Sequence, residues 1–377
     1  MSRQRVLFLV PRLFRAGAET QLVVLANRLS AELFDKHVLS YRPGDDLKDE
    51  LSSDQVTLHE LQRKGRLDFE LGRQIGRLID KLEIDVVHCT LQNALLYGYL
   101  GIRSASRNPR LVVAIHTTKN ANLFLDFADQ LVYRPLMKRC DEIWFVSTNQ
   151  AELWSRKMPF VKDKAVTIHN GIDLGYFDPT GFEDAATDLK MSLGISPDEK
   201  VLCSIAGFRP EKMHSVLIDA VARVREENLN CRLLLAGAGP LEQRLRDQVR
   251  NLGLDDAVDF LGPLPDVRTV LAASHCKVLV SAAETFSMAM LEAMAMKTPV
   301  ITTTVGGASE AIDDGSSGFL VNPGDATALA RTIRLALSDD DRLSRMGEIA
   351  RRTVEERFSV EKMVARSQDR LYKLVVV

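Results

Sequence analysis

The stretch VLCSIAGFRPEK, residues 201–212, contains a complete strand-to-helix transition in the middle of the chain. Its first six residues form a short apolar run, which is typical of a parallel strand buried on both faces. Gly207 and Pro210 then indicate a turn and a helix start. An alternation of short strands and longer helical segments fills the first half of the chain and begins again here. We therefore predict an α/β protein with two units, each built on a doubly wound parallel sheet.

Thirteen apolar runs are predicted as strands. They lie at residues 6–10, 38–41, 56–61, 85–89, 111–115, 143–147 and 166–169, and at 201–206, 232–236, 258–261, 277–281, 299–302 and 319–321. Helices are predicted between them, one of them at about 123–139, and the chain after residue 325 has helical periodicity throughout. Residues 175–194 hold a proline and three glycines without a strong period, so we predict a linker there.

The composition of the 377 residues excludes several classes of protein. A formal net charge of -2 argues against a dedicated nucleic-acid binder. The five cysteines are scattered and never form a CxxC pair, which argues against a disulfide framework or a zinc site. Residues 6–10 are too short for a signal-peptide core, and no apolar stretch approaches the roughly 20 residues of a membrane span. We therefore expect a cytoplasmic protein, located in the cytosol or at the inner face of the membrane.

Basic residues in the first half suggest one further partner. They are Arg63, Lys64, Arg66, Arg73, Arg77, Lys81, Arg103, Arg107 and Arg110. Two interpretations remain open: peripheral contact with an anionic membrane leaflet, or an ordinary solvated helix face.

Residues that follow the strands are the candidate ligand contacts, because open α/β sheets bind ligands at the carboxyl ends of their strands. In the first half, Ala16-Gly17-Ala18-Glu19 precede a helix, and their small side chains would let a ligand approach its amide groups. The alternative is an ordinary turn with Glu19 well placed in the helix dipole. His116 directly follows a strand and precedes Thr117 and Thr118, so it is either a substrate contact or a structural hydrogen-bonding residue.

Two strand-to-helix connections in the second half of the chain contain charged residues. Arg209 and Lys212 place cations at a helix start, which disfavours cations, so they indicate a bound anion such as a diphosphate. The alternative is a solvated basic turn countered by Glu211. At the next junction, Glu284 is expected in a loop and Glu292 on the first helical turns, so that both face one cleft.

Ser287 is the predicted N-cap of that helix, which leaves the amide groups of the following residues for phosphate. Glu292 suits the two hydroxyls of a ribose. The alternative makes Glu284 a surface acid and Glu292 a residue favoured by the helix dipole. Gly237–Pro240 and Gly306-Gly307 are weaker candidates for cleft turns.

Together these motifs resemble the retaining, nucleotide-sugar-dependent glycosyltransferases of family four. The resemblance is carried by residues 16–19, 116, 170–173, 207–212, 236–240 and 284–292, in the family's order and over nearly the whole chain. It implies the GT-B fold, in which two Rossmann-like domains face one another. The acceptor-side domain would span residues 1–178 and the donor domain 179–358, and a helix at 359–377 would cross back to the first domain.

The resemblance also implies residue roles. The implied catalytic residues are Glu284, His116, Arg209 and Lys212. The implied donor-binding residues are Gly17, Ala18, Arg209, Lys212, Leu261, Glu284, Ser287, Met288, Ala289, Leu291 and Glu292. No metal ligand is implied, because the two cations and the helix N-terminus would stabilise the diphosphate as it leaves.

The implied activity is transfer of a hexose from a nucleotide-sugar to a saccharide or lipid-linked acceptor, as in polysaccharide biosynthesis. We expect a UDP-sugar, with GDP and ADP open, and no cofactor. The alternatives are a nucleotide-sugar 2-epimerase or hydrolase of the same fold, and a non-catalytic nucleotide-sugar-binding scaffold. Ala16, Ser287 and Lys297 stand where the family commonly has glycine, which affects the expected sugar selectivity more than the reaction type.

Overall fold

The computed structural model describes residues 3–65, 67–116 and 129–376. The chain forms two compact units, Met1–Gly171 with Val360–Val377 and Ile172–Ser359. The first boundary therefore lies at residue 171, not at residue 178 as the sequence suggested. The backbone explains the difference, because the Ile172 N–H already donates to the carbonyl of Phe358 at 2.9 Å within the second unit.

The first unit is built on a seven-stranded parallel sheet with the order β3-β2-β1-β4-β5-β6-β7. Its strands are β1 (Gln4–Val10), β2 (Phe34–Ser40), β3 (Val56–Glu60), β4 (Val86–Thr90), β5 (Arg110–Ile115), β6 (Glu142–Phe145) and β7 (Ala165–Thr167). All seven were predicted. Val6 pairs with Lys36 on one side and with Val86 on the other, so the strand order reverses around β1. In doubly wound sheets, ligands bind in the crevice at the place where the strand order reverses.

The helices of the first unit lie on the two faces of this sheet. In the described residues before residue 171 they are α1 (Gly17–Arg28), α2 (Phe69–Lys81), α3 (Gln92–Ser104), α4 (Arg134–Met137) and α5 (Thr148–Lys157). Much of the helix predicted at about 123–139 falls on residues 117–128, outside the described residues. The described remainder is a π-helical turn, Asp129–Tyr133, which continues into α4.

The second unit has a six-stranded parallel sheet with the order β10-β9-β8-β11-β12-β13. Its strands are β8 (Lys200–Ile205), β9 (Cys231–Ala236), β10 (Val258–Gly262), β11 (Cys276–Leu279), β12 (Val300–Thr303) and β13 (Gly318–Val321). Its helices are α6 (Glu183–Ser192), α7 (His214–Glu226), α8 (Glu242–Asn251), α9 (Arg268–Ala273), α10 (Met288–Ala295), α11 (Ala308–Ala311), α12 (Ala326–Leu337) and α13 (Asp340–Arg357). The six predicted strands are all present.

Helix α6 corrects the prediction of a linker at residues 175–194. Ala186 is its one buried residue, so the sequence shows no apolar stripe there. The turn after the helix is nevertheless fixed to the second unit, because the Arg232 guanidinium donates to the carbonyl of Leu193 at 3.1 Å.

The final helix, α14 (Val360–Val376), belongs to the first unit. Its Leu371 is fully buried, and the carbonyl of Tyr372 accepts a hydrogen bond from the Gln4 amide at 3.1 Å. The predicted return of the last helix to the first domain is confirmed. Within the described ranges, every helix is too short or too polar to serve as a bilayer span.

Candidate active site

Two charged loops of the second unit lie side by side because their strands, β8 and β11, are neighbours in the sheet. The loop after β8 leads into a 3-10 turn, Pro210–Lys212, and the loop after β11 leads into α10. The Ala282 N–H donates to the carbonyl of Glu211 at 2.8 Å, which ties the two loops together. The structure therefore brings together the two junctions that the sequence singled out separately.

Lys212 and Glu284 form an ion pair between these loops. The Lys212 Nζ donates to the Glu284 Oε2 at 2.6 Å, and the side chains are only 15% and 22% exposed. The sequence grouped Lys212 with Arg209 as two cations, whereas the structure balances Lys212 with a carboxylate. A lysine ammonium has three donors, so this pair leaves it donors for a second acceptor.

Arg209 differs from Lys212 in its exposure. Its side chain is 60% exposed, and its Nε lies 3.4 Å from the Glu211 Oε1. This contact with Glu211 is the one expected if the segment is a solvated basic turn, which was the alternative interpretation of the sequence. An exposed pair of this kind contributes little free energy, so an anionic ligand can replace the carboxylate at small cost.

Helix α10 begins as the sequence predicted. Ser287 is the N-cap, and its Oγ accepts a hydrogen bond from the Met290 N–H at 3.4 Å. Met288 and Ala289 are the first two residues of the helix, where amide groups have no partner within the helix. Glu292 follows one turn later and is half-buried.

Two implied donor-binding residues lie in different surroundings. Leu291 is fully buried, and its N–H donates to the carbonyl of Ser287, so the structure gives its side chain a packing role. Leu261 is half-buried near the carboxyl end of β10, the edge strand of the sheet. The next residue, Gly262, accepts a hydrogen bond from the Gly237 N–H at 2.8 Å, which connects β10 to the turn after β9.

Gly306 packs closely against the backbone of the loop that carries Glu284. Its φ is +58°, and a Cβ there would lie 2.3 Å from the carbonyl oxygen of Glu284 and 2.5 Å from that of Thr285. The Gly307 N–H donates to that Thr285 carbonyl at 2.7 Å. A side chain at position 306 would therefore displace Glu284, which gives a physical reason for a turn that was only a weak candidate in the sequence.

Lys277 is the charged residue of this site that the sequence did not indicate. It lies on β11, inside a run that looked simply apolar, and its side chain is fully buried. Burial lowers its pKa, while the carboxylate of Glu292 acts in the opposite direction. Burial raises the pKa of Glu292, and the charge of Lys277 counteracts this shift.

In the first unit, α1 begins at Gly17 without a side-chain cap from Ala16. A Cβ added to Gly17 would meet nothing within 4 Å, so packing among the described residues does not require glycine there. The open space is consistent with close approach of a ligand. Glu19 lies in the first turn of α1, where the interpretation as an ordinary turn placed it, and it is buried, which raises its pKa.

His116 lines a small cavity in the first unit. Ala18, His88, Thr90 and Asn170 line the same cavity. Burial lowers the pKa of His116 to about 4 and that of His88 to about 3, so both imidazoles are neutral at pH 7. Neutral His116 can orient a ligand by hydrogen bonding but cannot supply a positive charge. Thr117 and Thr118 lie outside the described residues.

Several arginines of the basic stretch are paired with carboxylates. Arg73 and Arg77 both contact Glu70, at 3.2 and 2.8 Å. Arg107 pairs with Asp85, and Arg110 pairs with Asp141. Arg66 lies outside the described residues. These pairs favour the interpretation as a solvated surface, and contact with anionic lipid stays a prediction.

Comparison with known proteins decides the family. Residues 15–176 match the model of Glycosyltransferase Family 4, and residues 186–353 match that of Glycosyl transferases group 1. N-acetyl-alpha-D-glucosaminyl L-malate synthase of Bacillus anthracis is 31% identical over 310 residues, which cover 82% of this chain and 80% of that protein. The chain belongs to glycosyltransferase family 4. This glycosyltransferase is also 27% identical to the putative glycosyltransferase EpsD of Bacillus subtilis, over 79% of this chain and 78% of EpsD.

Solved structures show the fold of the glycosyltransferase. A glycosyltransferase of Rickettsia africae superimposes with a TM-score of 0.86 at 20% identity, over 100% of both chains. HepE of Anabaena, solved in complex with UDP-glucose, superimposes with a TM-score of 0.84 at 22% identity, over 98% of this chain and 100% of HepE. The predicted GT-B fold is confirmed.

Proposed function

We propose that this glycosyltransferase moves a hexose from a UDP-sugar to a saccharide or lipid-linked acceptor, with retention at the anomeric carbon and without a metal ion. One observation carries the proposal: the ion pair of Lys212 and Glu284 lies beside the loop that leads into α10, and the half-buried Glu292 lies one turn into that helix. A cation, open amide groups and carboxylates in one place match the diphosphate, sugar and ribose of such a donor.

The assignment of the donor groups follows from charge. Arg209 and Lys212 would bind the diphosphate, together with the amide groups of Met288 and Ala289. Glu292 would accept hydrogen bonds from the ribose hydroxyls. Once the diphosphate attracts Lys212, the Glu284 carboxylate would accept hydrogen bonds from the hydroxyls of the sugar. The structural neighbour HepE, solved with UDP-glucose, supports UDP as the nucleotide.

The proposed reaction is a front-side displacement. The bond from the anomeric carbon to the diphosphate breaks, and the bond from that carbon to the acceptor oxygen forms on the same face. The acceptor's proton passes to the departing phosphate oxygen. Arg209, Lys212 and the helix N-terminus stabilise the negative charge that develops there, which is the task a metal ion performs at other phosphate sites. Glu284 would hold the sugar in position, and the implied contact of His116 with the sugar stays a prediction.

A calorimetric screen of UDP-, GDP- and ADP-sugars tests the donor assignment. We expect the UDP-sugar to bind most tightly and its affinity to be unchanged by EDTA. Preference for GDP or ADP would correct the nucleotide, and loss of binding in EDTA would contradict the metal-free proposal. Nuclear magnetic resonance of the reaction with candidate acceptors would then show the anomeric configuration of the product. Complete conversion of the donor to a new free sugar, with or without acceptor, would instead indicate an epimerase or hydrolase.

A sedimentation experiment tests the predicted membrane contact. Vesicles with anionic headgroups should bind the protein at low salt and release it as the ionic strength rises. If the protein sedimented equally with neutral vesicles, the predicted contact with an anionic membrane would be wrong.

A further inference from the structure

Lys277 is a lysine without exposure to solvent, directly beneath the proposed ribose site. Its side chain is 0% exposed on β11, and its Nζ donates to the carbonyl of Ala289 at 2.6 Å. Ala289 belongs to the first turn of α10, and Glu292 follows it by three residues, so the two lie on the same side of the helix. The lysine therefore reaches from the sheet to the turn that carries Glu292.

A buried ammonium requires a partner charge. Burying a charged group without one costs several kcal/mol, and a single carbonyl oxygen does not offset this. The negative charges that attract Lys277 are those of Glu292 and, more weakly, Glu284. Lys212 opposes them with its own positive charge, and Cys203 on β8 is the remaining titratable neighbour.

The other end of α10 is fixed by a different cation. The Arg351 guanidinium on α13 donates to the carbonyl of Ala295 at 2.7 Å. That contact is at the last residue of α10, whereas Lys277 contacts its second residue. Lys277 is therefore the group placed to act on the turn that carries Glu292.

We propose that Lys277 is a positioning residue for donor binding: it holds the first turn of α10 on the sheet and supplies the counter-charge that keeps Glu292 ionised. An ionised Glu292 accepts hydrogen bonds from both ribose hydroxyls, whereas a protonated carboxyl offers a weaker acceptor. Lys277 itself does not touch the donor. The inference rests on the proposed function, because it assumes that Glu292 binds the ribose.

The charge of Lys277 determines the direction in which it shifts the pKa of Glu292. Burial raises the pKa of Glu292, and the Lys277 ammonium acts against that shift. Without Lys277 the pKa of Glu292 rises further, so the carboxylate becomes protonated at a higher pH. Donor affinity should then be lost at a higher pH than in the wild type.

The experiment measures the binding of UDP, GDP and ADP by calorimetry between pH 5 and 8. The variant Lys277→Met keeps the length of the side chain and removes its charge. We expect it to weaken binding of the preferred nucleotide about tenfold or more at pH 7, because charge-assisted hydrogen bonds are lost. We also expect the weakening to grow as the pH falls. The titration of the diphosphate itself is common to all variants and cancels in the ratio to wild type.

Lys36 provides a matched control in the first unit. It is 1% exposed, and its Nζ donates to the carbonyl of Leu29 at 2.8 Å, so it resembles Lys277 in burial and in its main contact. Lys36→Met should lower stability without changing nucleotide binding or its pH dependence. Equal effects of the two variants on binding would reduce Lys277 to a structural residue and overturn the proposal.

A double-mutant cycle separates the two proposals. Glu292→Gln should weaken binding, and adding Lys277→Met to it should have little further effect, because the lysine acts through Glu292. The double variant removes the half-buried carboxylate together with the buried ammonium, so it keeps the test valid if Lys277→Met alone does not fold. Independent, multiplying effects would overturn the role of Lys277. Unchanged binding in Glu292→Gln, or no binding of any nucleotide by the wild type, would overturn the proposed function and this inference with it.

Discussion

The two units present different chemistry at the ends of their central strands. In the second unit the loops carry Lys212 and Glu284, helix α10 carries Glu292, and the charge of Lys277 is buried below them. In the first unit the described residues that line the cavity beside His116 carry no charge, since burial keeps the imidazoles neutral. Under the proposed function the charged groups of the second unit neutralise the diphosphate, whereas the uncharged groups of the first unit are suited to hydrogen bonds with hydroxyl groups.

The largest effect is expected from the exposed cation of the second unit. Arg209→Ala should reduce the turnover of the donor by about 10²–10³-fold, because it removes a group that stabilises the leaving charge. The release of nucleoside diphosphate measures this turnover. Arg73→Ala, which removes an exposed arginine paired with Glu70, is the control and should leave the rate unchanged. Near-normal turnover in Arg209→Ala would place the stabilisation of the leaving group elsewhere.

A smaller effect is expected from Glu292. Glu292→Gln should raise the KM for the donor about tenfold or more and change kcat less, because the ribose contact is made in both the ground state and the transition state. Steady-state kinetics with varied donor measure the two constants. The control is Glu348→Gln, since Glu348 is an exposed acid that pairs with Lys297. A fall in kcat with constant KM would contradict the assignment of Glu292 to the ribose.

The neutral histidines of the first unit make its stability dependent on pH. The pKa of His88 is about 3 in the fold, against an ordinary value of 6.5. Its contribution to stability is therefore complete above pH 6.5 and is lost as the pH falls toward 3. At pH 5 the loss should be about 2 kcal/mol.

Urea unfolding of His88→Gln checks this dependence. The free energy of unfolding of the wild type should fall between pH 7 and pH 5, and the variant should show a fall that is smaller by this amount. Parallel curves for the two proteins would show that His88 is not the group that titrates.

The smallest effect concerns Lys297, where the family commonly has glycine. Its φ is +56°, a left-handed conformation that costs a side-chain-bearing residue roughly 1–2 kcal/mol. Lys297→Gly should raise the free energy of unfolding by about 0.5–1 kcal/mol after the larger chain entropy of glycine is subtracted. Thermal unfolding measures the gain, and Lys297→Ala, which keeps the strain, should not show it. A loss in the glycine variant would mean that the contact with Glu348 outweighs the strain.

The sequence predicted the strands better than the helices that connect them. Strands buried on both faces are continuous runs of β-branched and aliphatic residues, and all thirteen predicted strands are present in the described residues. Helix α6 was missed because burying Ala186 alone leaves no apolar stripe. The end of the first unit was misplaced because it is fixed by a backbone hydrogen bond of Ile172, which no side-chain pattern indicates.

The candidate site was predictable in its residue types but not in its pairing. The spacing of Glu284 and Glu292 correctly placed one in a loop and the other on a helix. The spacing of residues along the chain cannot show that Lys212 forms an ion pair with Glu284. The two residues come together only because the strands that precede them are neighbours in the sheet. Lys277 was missed for a different reason. A single lysine within an apolar run does not change the prediction that the run is a buried strand.

A structure of the protein with a bound UDP-sugar would show whether the charged loops and α10 of the second unit hold the donor. We predict that the diphosphate lies within hydrogen-bonding distance of Arg209, Lys212 and the first amide groups of α10, with the ribose on Glu292. A donor bound elsewhere, or a diphosphate held through a divalent ion, would contradict the account.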